Sequence, residues 1–150
     1  MCPAQGSRLL PAVTAPDSAL RDILRTARTI AVVGLSPNPA RPSHAVAAYL
    51  QQVGYRIIPV RPGVAQVLGE PAYASLQAAR AAVAIEVVNV FRRASALAAL
   101  ADDISAVRPR LVWMQVGVED DAVAERLERE GILVVMDRCL MVEHSCLVGS

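Results

Sequence analysis

The sequence predicts a doubly wound α/β fold of the Rossmann type, a mainly parallel sheet of five to six strands with helices on both faces. Three observations carry this. Short runs rich in Val and Ile recur along the 150 residues, apolar without alternation, as strands covered on both faces should be. Between them, apolar residues repeat at i, i+3, i+4 and i+7, the mark of an amphipathic helix. Strand and helix then alternate, which with right-handed crossovers yields a parallel sheet.

The first 17 residues, "MCPAQGSRLLPAVTAPD", read as a flexible leader, and 18–150 as one domain of a size that buries most of its apolar surface. Leu20, Ile23, Leu24 and Ala27 mark a short entry helix that Asp17 or Ser18 could cap. "TIAVVGL" (29–35) is the first strand, ended by glycine. Val46, Tyr49, Leu50 and Val53 predict a helix over 43–53, with Gly54 at the C-cap position. "YRIIPV" (55–60) is the second strand. Residues 69–83 suggest a short strand near Ala72 and Tyr73, then an Ala-rich helix. "AIEVVNVF" (84–91) is the fourth strand, and Leu97, Leu100, Ala101, Ile104 and Val107 mark a helix that Ser95 could cap. "RLVWMQVG" (110–117) is the fifth strand. Val123, Ala124 and Leu127 mark a helix opened by Asp120 and Asp121, and "ILVVMD" (132–137) is the last strand.

Composition excludes several classes. No apolar run reaches the roughly 20 residues of a membrane helix, and no basic segment followed by an apolar block marks a secretion signal, so a cytoplasmic protein is expected. The net charge of +1 and the few aromatic rings argue against a nucleic-acid binder. Cys2, Cys139 and Cys146 are odd in number without CxxC spacing, which argues against a disulfide framework and a zinc site. Cys139, His144 and Cys146 are too loosely spaced to predict a metal site. Trp113 reads as core, His44 as a first-turn residue without an acid–base partner, and Cys139 as a small packed residue.

In an open parallel sheet, ligands bind beyond the carboxyl ends of the strands where strand order reverses. Those ends carry Gly34, Leu35 and Ser36; Arg61, Pro62 and Gly63; Phe91, Arg92 and Arg93; Gln115, Val116 and Gly117; and Asp137, Arg138 and Cys139. With Arg41, five of the 15 arginines gather on one edge, and the chain has no lysine. Arginine forks suit phosphate oxygens, so an anionic ligand is expected. In "VVGLSPNPARPSHAVAAYL" the loop from Gly34 to Ser43 feeds a helix N-terminus that favours phosphate. Ser36 and Ser43 add hydroxyls, Arg41 adds charge, and Pro37, Pro39 and Pro42 stiffen the loop. Arg92 and Arg93 would point to opposite faces if both lay in the strand, so at most one need reach a ligand.

A dinucleotide enzyme would show G-x-G-x-x-G and an acidic residue after the second strand. The glycines are missing and Arg61 stands at that strand end, which disfavours NAD and suits a phosphate borne on a ribose. NADP and coenzyme A both carry one, and the residues themselves leave the two open.

Taken together, "AVVGLSPNPARPSHAVAAYL", "GYRIIPVRPG", "VLGEPAYASL", "VVNVFRR", "VWMQVGV" and "VVMDRCLMVEH" resemble the small stand-alone CoA-binding domain proteins. That family is related to the nucleotide-binding domain of the succinyl-CoA synthetase α subunit, and the resemblance spans about residues 18–147. It implies a Rossmann-like fold and coenzyme A, or an acyl-CoA, as ligand. By motif, Gly34, Leu35, Ser36, Arg41 and Ser43 would form the phosphate loop. Pro59, Val60, Arg61 and Pro62 would border the adenosine end, Val90, Phe91, Arg92 and Arg93 the far side, and Gln115 and Gly117 would close the groove. Relatives usually carry Asn in place of Arg61. The synthetases owe their ligase chemistry to a second domain bearing a phosphorylated histidine and to a nucleotide-binding subunit, and neither has a counterpart here. The expectation is therefore CoA binding without catalytic residues, with a homo-oligomer or a protein partner as a further possibility. The alternatives are the CoA-binding subunit of an NDP-forming acyl-CoA ligase, an NADP-dependent enzyme, or an interaction module with a vestigial nucleotide site.

Overall fold

The structure, a computed structural model, describes residues 16–148. The helices are α1 (Asp17–Thr26), α2 (Pro42–Gln52), α3 (Leu76–Ala82), α4 (Leu97–Val107), α5 (Asp121–Arg129) and α6 (Leu140–Leu147). The strands are β1 (Thr29–Val33), β2 (Arg56–Val60), β3 (Gln66–Val67), β4 (Glu70–Pro71), β5 (Val87–Val90), β6 (Leu111–Met114) and β7 (Leu133–Val135).

Five strands form one parallel sheet in the order β2-β1-β5-β6-β7. Leaving β1, the chain crosses to β2 on one side; leaving β2, it passes back to β5 on the other. Order thus reverses at β1, and right-handed crossovers put the helices on opposite faces. Ala31, Val33, Ile58, Val88, Val90 and Val112 pack with residues of α3, α4 and α5 in one core. Ile30, Val32, Ile57, Val87 and Trp113 pack with α1, α2 and α6 in the other. The strands are buried on both faces, which is why their sequences do not alternate.

Several local expectations give way to tertiary context. Asp17 belongs to α1 rather than to the leader, whose residues 1–15 lie outside the described range. Neither Asp17 nor Ser18 caps that helix; Pro16 is its N-cap, without a side-chain bond. Ser95 sits in a 3₁₀ turn (Ala94–Ala96) and α4 is likewise uncapped by a side chain, whereas Ser75 and Asp120 do cap α3 and α5. Residues 66–71 form a small antiparallel hairpin of β3 and β4, while Tyr73 makes one isolated parallel bridge to Val60. Helix α6 was not expected, because it is apolar without a clear stripe. It packs against α1 and α2, and Glu143 and His144 are buried with Leu140 and Leu147. Cys139 is a free thiol, and Cys146 is disulfide-bonded. Among the described residues, no helix is long and apolar enough to cross a membrane, and no cluster of His, Cys, Asp or Glu is arranged to hold a metal ion.

Candidate functional site

The reversal of strand order at β1 leaves a gap over its carboxyl end that no helix covers. There the Gly34 N–H donates to the Val60 carbonyl at 2.9 Å and the Phe91 N–H to the Val33 carbonyl at 2.9 Å, so the ladder reaches one residue past the strand on each side. Gly34 then turns with φ of +86°. A Cβ at this position would lie 3.0 Å from the Phe91 carbonyl oxygen and 3.2 Å from Arg92 Cδ. Both the turn and the narrow gap to the opposite wall require glycine.

The loop to α2 is braced by its own side chains. Ser43 Oγ accepts from the Ser36 N–H at 3.0 Å, Ser36 Oγ from the Asn38 N–H at 3.0 Å, and Asn38 Oδ1 from the Ala40 N–H at 2.9 Å. Ser43 therefore does not cap the helix. Arg41 is the N-cap residue and Pro42 opens the helix, while Ser43, buried inside the first turn, ties the loop down. Pro42 has no N–H, and the His44 and Ala45 amides both reach the Arg41 carbonyl. Among the amides that open α2, the Ser43 N–H remains for a ligand.

These parts enclose a cleft of about 840 Å³ lined by Gly34, Ser36, Pro37, Asn38, Arg41, Pro42, Ser43, Arg61, Pro62, Phe91, Arg92 and Arg93. Four arginines thus converge from three separate loops. Among the described residues none of the four is in an ion pair, whereas Arg56 pairs with Glu70, Arg110 with Glu86, and Arg126 with Asp102 and Glu130. One arginine about 4 Å from a phosphate oxygen is worth about 1 kcal/mol in bulk water and about 4 kcal/mol at an effective dielectric of 20. The combined field, rather than any one contact, would favour a multiply charged anion in this cleft. Both Arg92 and Arg93 line it, because β5 ends at Val90 and the alternation expected of a strand no longer applies.

Six of the residues expected at the site do not line the cleft. Leu35 is fully buried in the α2-side core. Pro59, Val60 and Val90 are buried strand residues; their side chains point into the helix layers, and their carbonyls are taken by the Tyr73, Gly34 and Gln115 amides. Gln115 is 4% exposed and donates through Nε2 to Asn89 Oδ1 at 2.7 Å. Gly117 lies over β6 and β7, where its N–H donates to Asp137 Oδ1 at 2.7 Å. Arg138 also stays outside the cleft, and its carbonyl accepts from Trp113 Nε1 at 2.9 Å. The residue that sequence reasoning missed is Asn38, whose turn-forming position between two prolines was the available signal.

A family model described as CoA binding domain matches residues 28–145. The chain belongs to the CoA-binding domain family. An uncharacterized Bacillus subtilis protein, YneT, is 37% identical over 84% of this chain and 92% of its own. A solved Thermus thermophilus protein, cell-free ID.343, is 42% identical with a TM-score of 0.84, covering 89% of this chain and 99% of its own. A hypothetical protein of Pyrococcus horikoshii is 31% identical with a TM-score of 0.84, covering 93% and 97%. These proteins match the chain across nearly their whole length, and the folds of the two solved structures agree with the doubly wound sheet described above.

Proposed function

We propose that this protein binds coenzyme A, free or acylated, in the cytoplasm, and has no catalytic activity of its own. The observation that carries the reading is the set of four arginines without acidic partners, Arg41, Arg61, Arg92 and Arg93, around one cleft at the start of α2. Coenzyme A presents a diphosphate and a ribose 3′-phosphate, enough negative charge to engage all of them. In this reading the diphosphate lies on the Gly34–Ser43 loop with the Ser43 N–H and Arg41. Arg61, at the end of β2 where a fold of this type meets the ribose, takes the 3′-phosphate. Membership in the CoA-binding domain family supports coenzyme A over NADP.

The test is calorimetric titration with coenzyme A, 3′-dephospho-CoA and NADP in parallel. Binding of coenzyme A that weakens at least tenfold without the 3′-phosphate, with NADP poorer than either, is the expected result. Preference for NADP would replace the reading with an NADP-dependent enzyme. Silence from all three would leave an interaction module. Co-purification with an ATP-binding subunit would make the chain part of an acyl-CoA ligase and overturn the absence of a catalytic role.

A further inference from the structure

Asn89 stands in the middle of β5 among three valines, in a strand buried on both faces. It is 0% exposed, and its register partners are Val32 of β1 and Trp113 of β6. Its Oδ1 is held by Gln115 Nε2 at 2.7 Å, which fixes the orientation of the amide. Its Nδ2 has no hydrogen-bond partner. A buried donor left without an acceptor is destabilising, and a valine at this position would avoid that cost.

The location gives the amide a use. Residues two apart along a strand share a face, so Phe91 stands beside Asn89 on the cleft side. Phe91 is half-buried, packs on the same core as Val32 and Trp113, and is itself a cleft wall. Phe91 thus stands between Asn89 and the carboxyl edge of the sheet, where the arginines line the cleft. Gln115, two residues past Trp113, reaches the same point from β6.

We propose that Asn89, held by Gln115, is a specificity-determining residue that recognises an amide carbonyl of the ligand's arm once the Phe91 ring turns aside. The arm of coenzyme A carries two secondary amides, whereas nucleotides with the same phosphates carry none. Arginines then read the charged end and Asn89 reads the neutral arm. This inference rests on the coenzyme A reading given above.

The experiment compares coenzyme A with adenosine 3′,5′-bisphosphate, which keeps a ribose 3′-phosphate and a 5′-phosphate but lacks the arm. Both are titrated into the wild-type protein and the Asn89→Leu variant. The expected result is at least a tenfold loss of coenzyme A affinity in the variant with bisphosphate affinity held within about twofold. A second measurement does not depend on the variant's folding: in ¹⁵N-labelled wild-type protein, coenzyme A should shift the Asn89 side-chain amide resonance and the bisphosphate should leave it in place. Equal loss for both ligands, unchanged coenzyme A affinity, or an Asn89 resonance that does not move would each overturn the proposal while the coenzyme A reading stands. A wild-type protein that binds neither ligand would overturn both.

Discussion

At Gly34 a single hydrogen atom decides whether the cleft can exist. With φ of +86° and the Phe91 carbonyl oxygen 3.0 Å from where a Cβ would sit, Gly34→Ala combines a left-handed backbone penalty of about 1–2 kcal/mol with crowding of the opposite wall. We expect a loss of about 2 kcal/mol or more in unfolding free energy, read from the urea midpoint, and weaker coenzyme A binding as Phe91 and Arg92 are displaced. An unchanged midpoint would show that the turn is freer than its geometry indicates. Arg41 acts on binding alone. It is exposed and unpaired, so Arg41→Ala should leave stability within about 0.5 kcal/mol and weaken coenzyme A by about 1.5–3 kcal/mol, the value of a charged hydrogen bond. Parallel melting and titration separate the two effects, and intact affinity would remove Arg41 from the site.

Helix α2 carries the Gly34–Ser43 loop at one end and packs on α6 along its side. Its Ser43 hydroxyl holds the Ser36 amide, so Ser43→Ala should cost about 1–2 kcal/mol by leaving a buried N–H without an acceptor; a urea midpoint equal to wild type would contradict this. On its side, Tyr49 Oη meets His144 Nδ1 at 2.8 Å, and the imidazole packs edge-on against the Tyr49 and Tyr55 rings. Burial holds the His144 pKa below its ordinary 6.5. The unfolded chain then takes up a proton, as pH falls through about 6.5, that the folded protein resists. This site's contribution to stability is complete above that pH and declines below it. Urea midpoints at about pH 7.5 and pH 5.5 should differ by more in wild type than in His144→Phe. Equal differences would assign the pH dependence to other groups.

Across the whole molecule the net charge is only +1, yet four unpaired arginines share one cleft, so binding should be governed by a local field. Screening lengths of about 10 Å at 0.1 M salt and about 3 Å at 1 M predict that coenzyme A affinity falls about tenfold or more between roughly 50 mM and 500 mM salt. Affinity insensitive to salt would assign binding to apolar and neutral polar contacts instead. The doubly wound class was legible in the sequence because both-face burial writes continuous Val and Ile runs, and helices write a period of 3.6, whatever the partners. Gly34, Ser36, Arg41, Ser43, Arg61, Pro62, Phe91, Arg92 and Arg93 could be placed at strand ends and loops for the same reason: in a parallel sheet those ends form one edge. The sequence could not say that Leu35, Pro59, Val60 and Val90 turn inward, that Gln115 spends its amide on Asn89, or that α6 closes the second layer. Nor could it say that Ser43 braces the loop instead of capping its helix. Periodicity and strand ends are local properties, fixed by neighbours along the chain. Which polar group meets which, and which side chain faces the gap at the strand reversal, depends on residues far apart in sequence, and only the packed fold decides it.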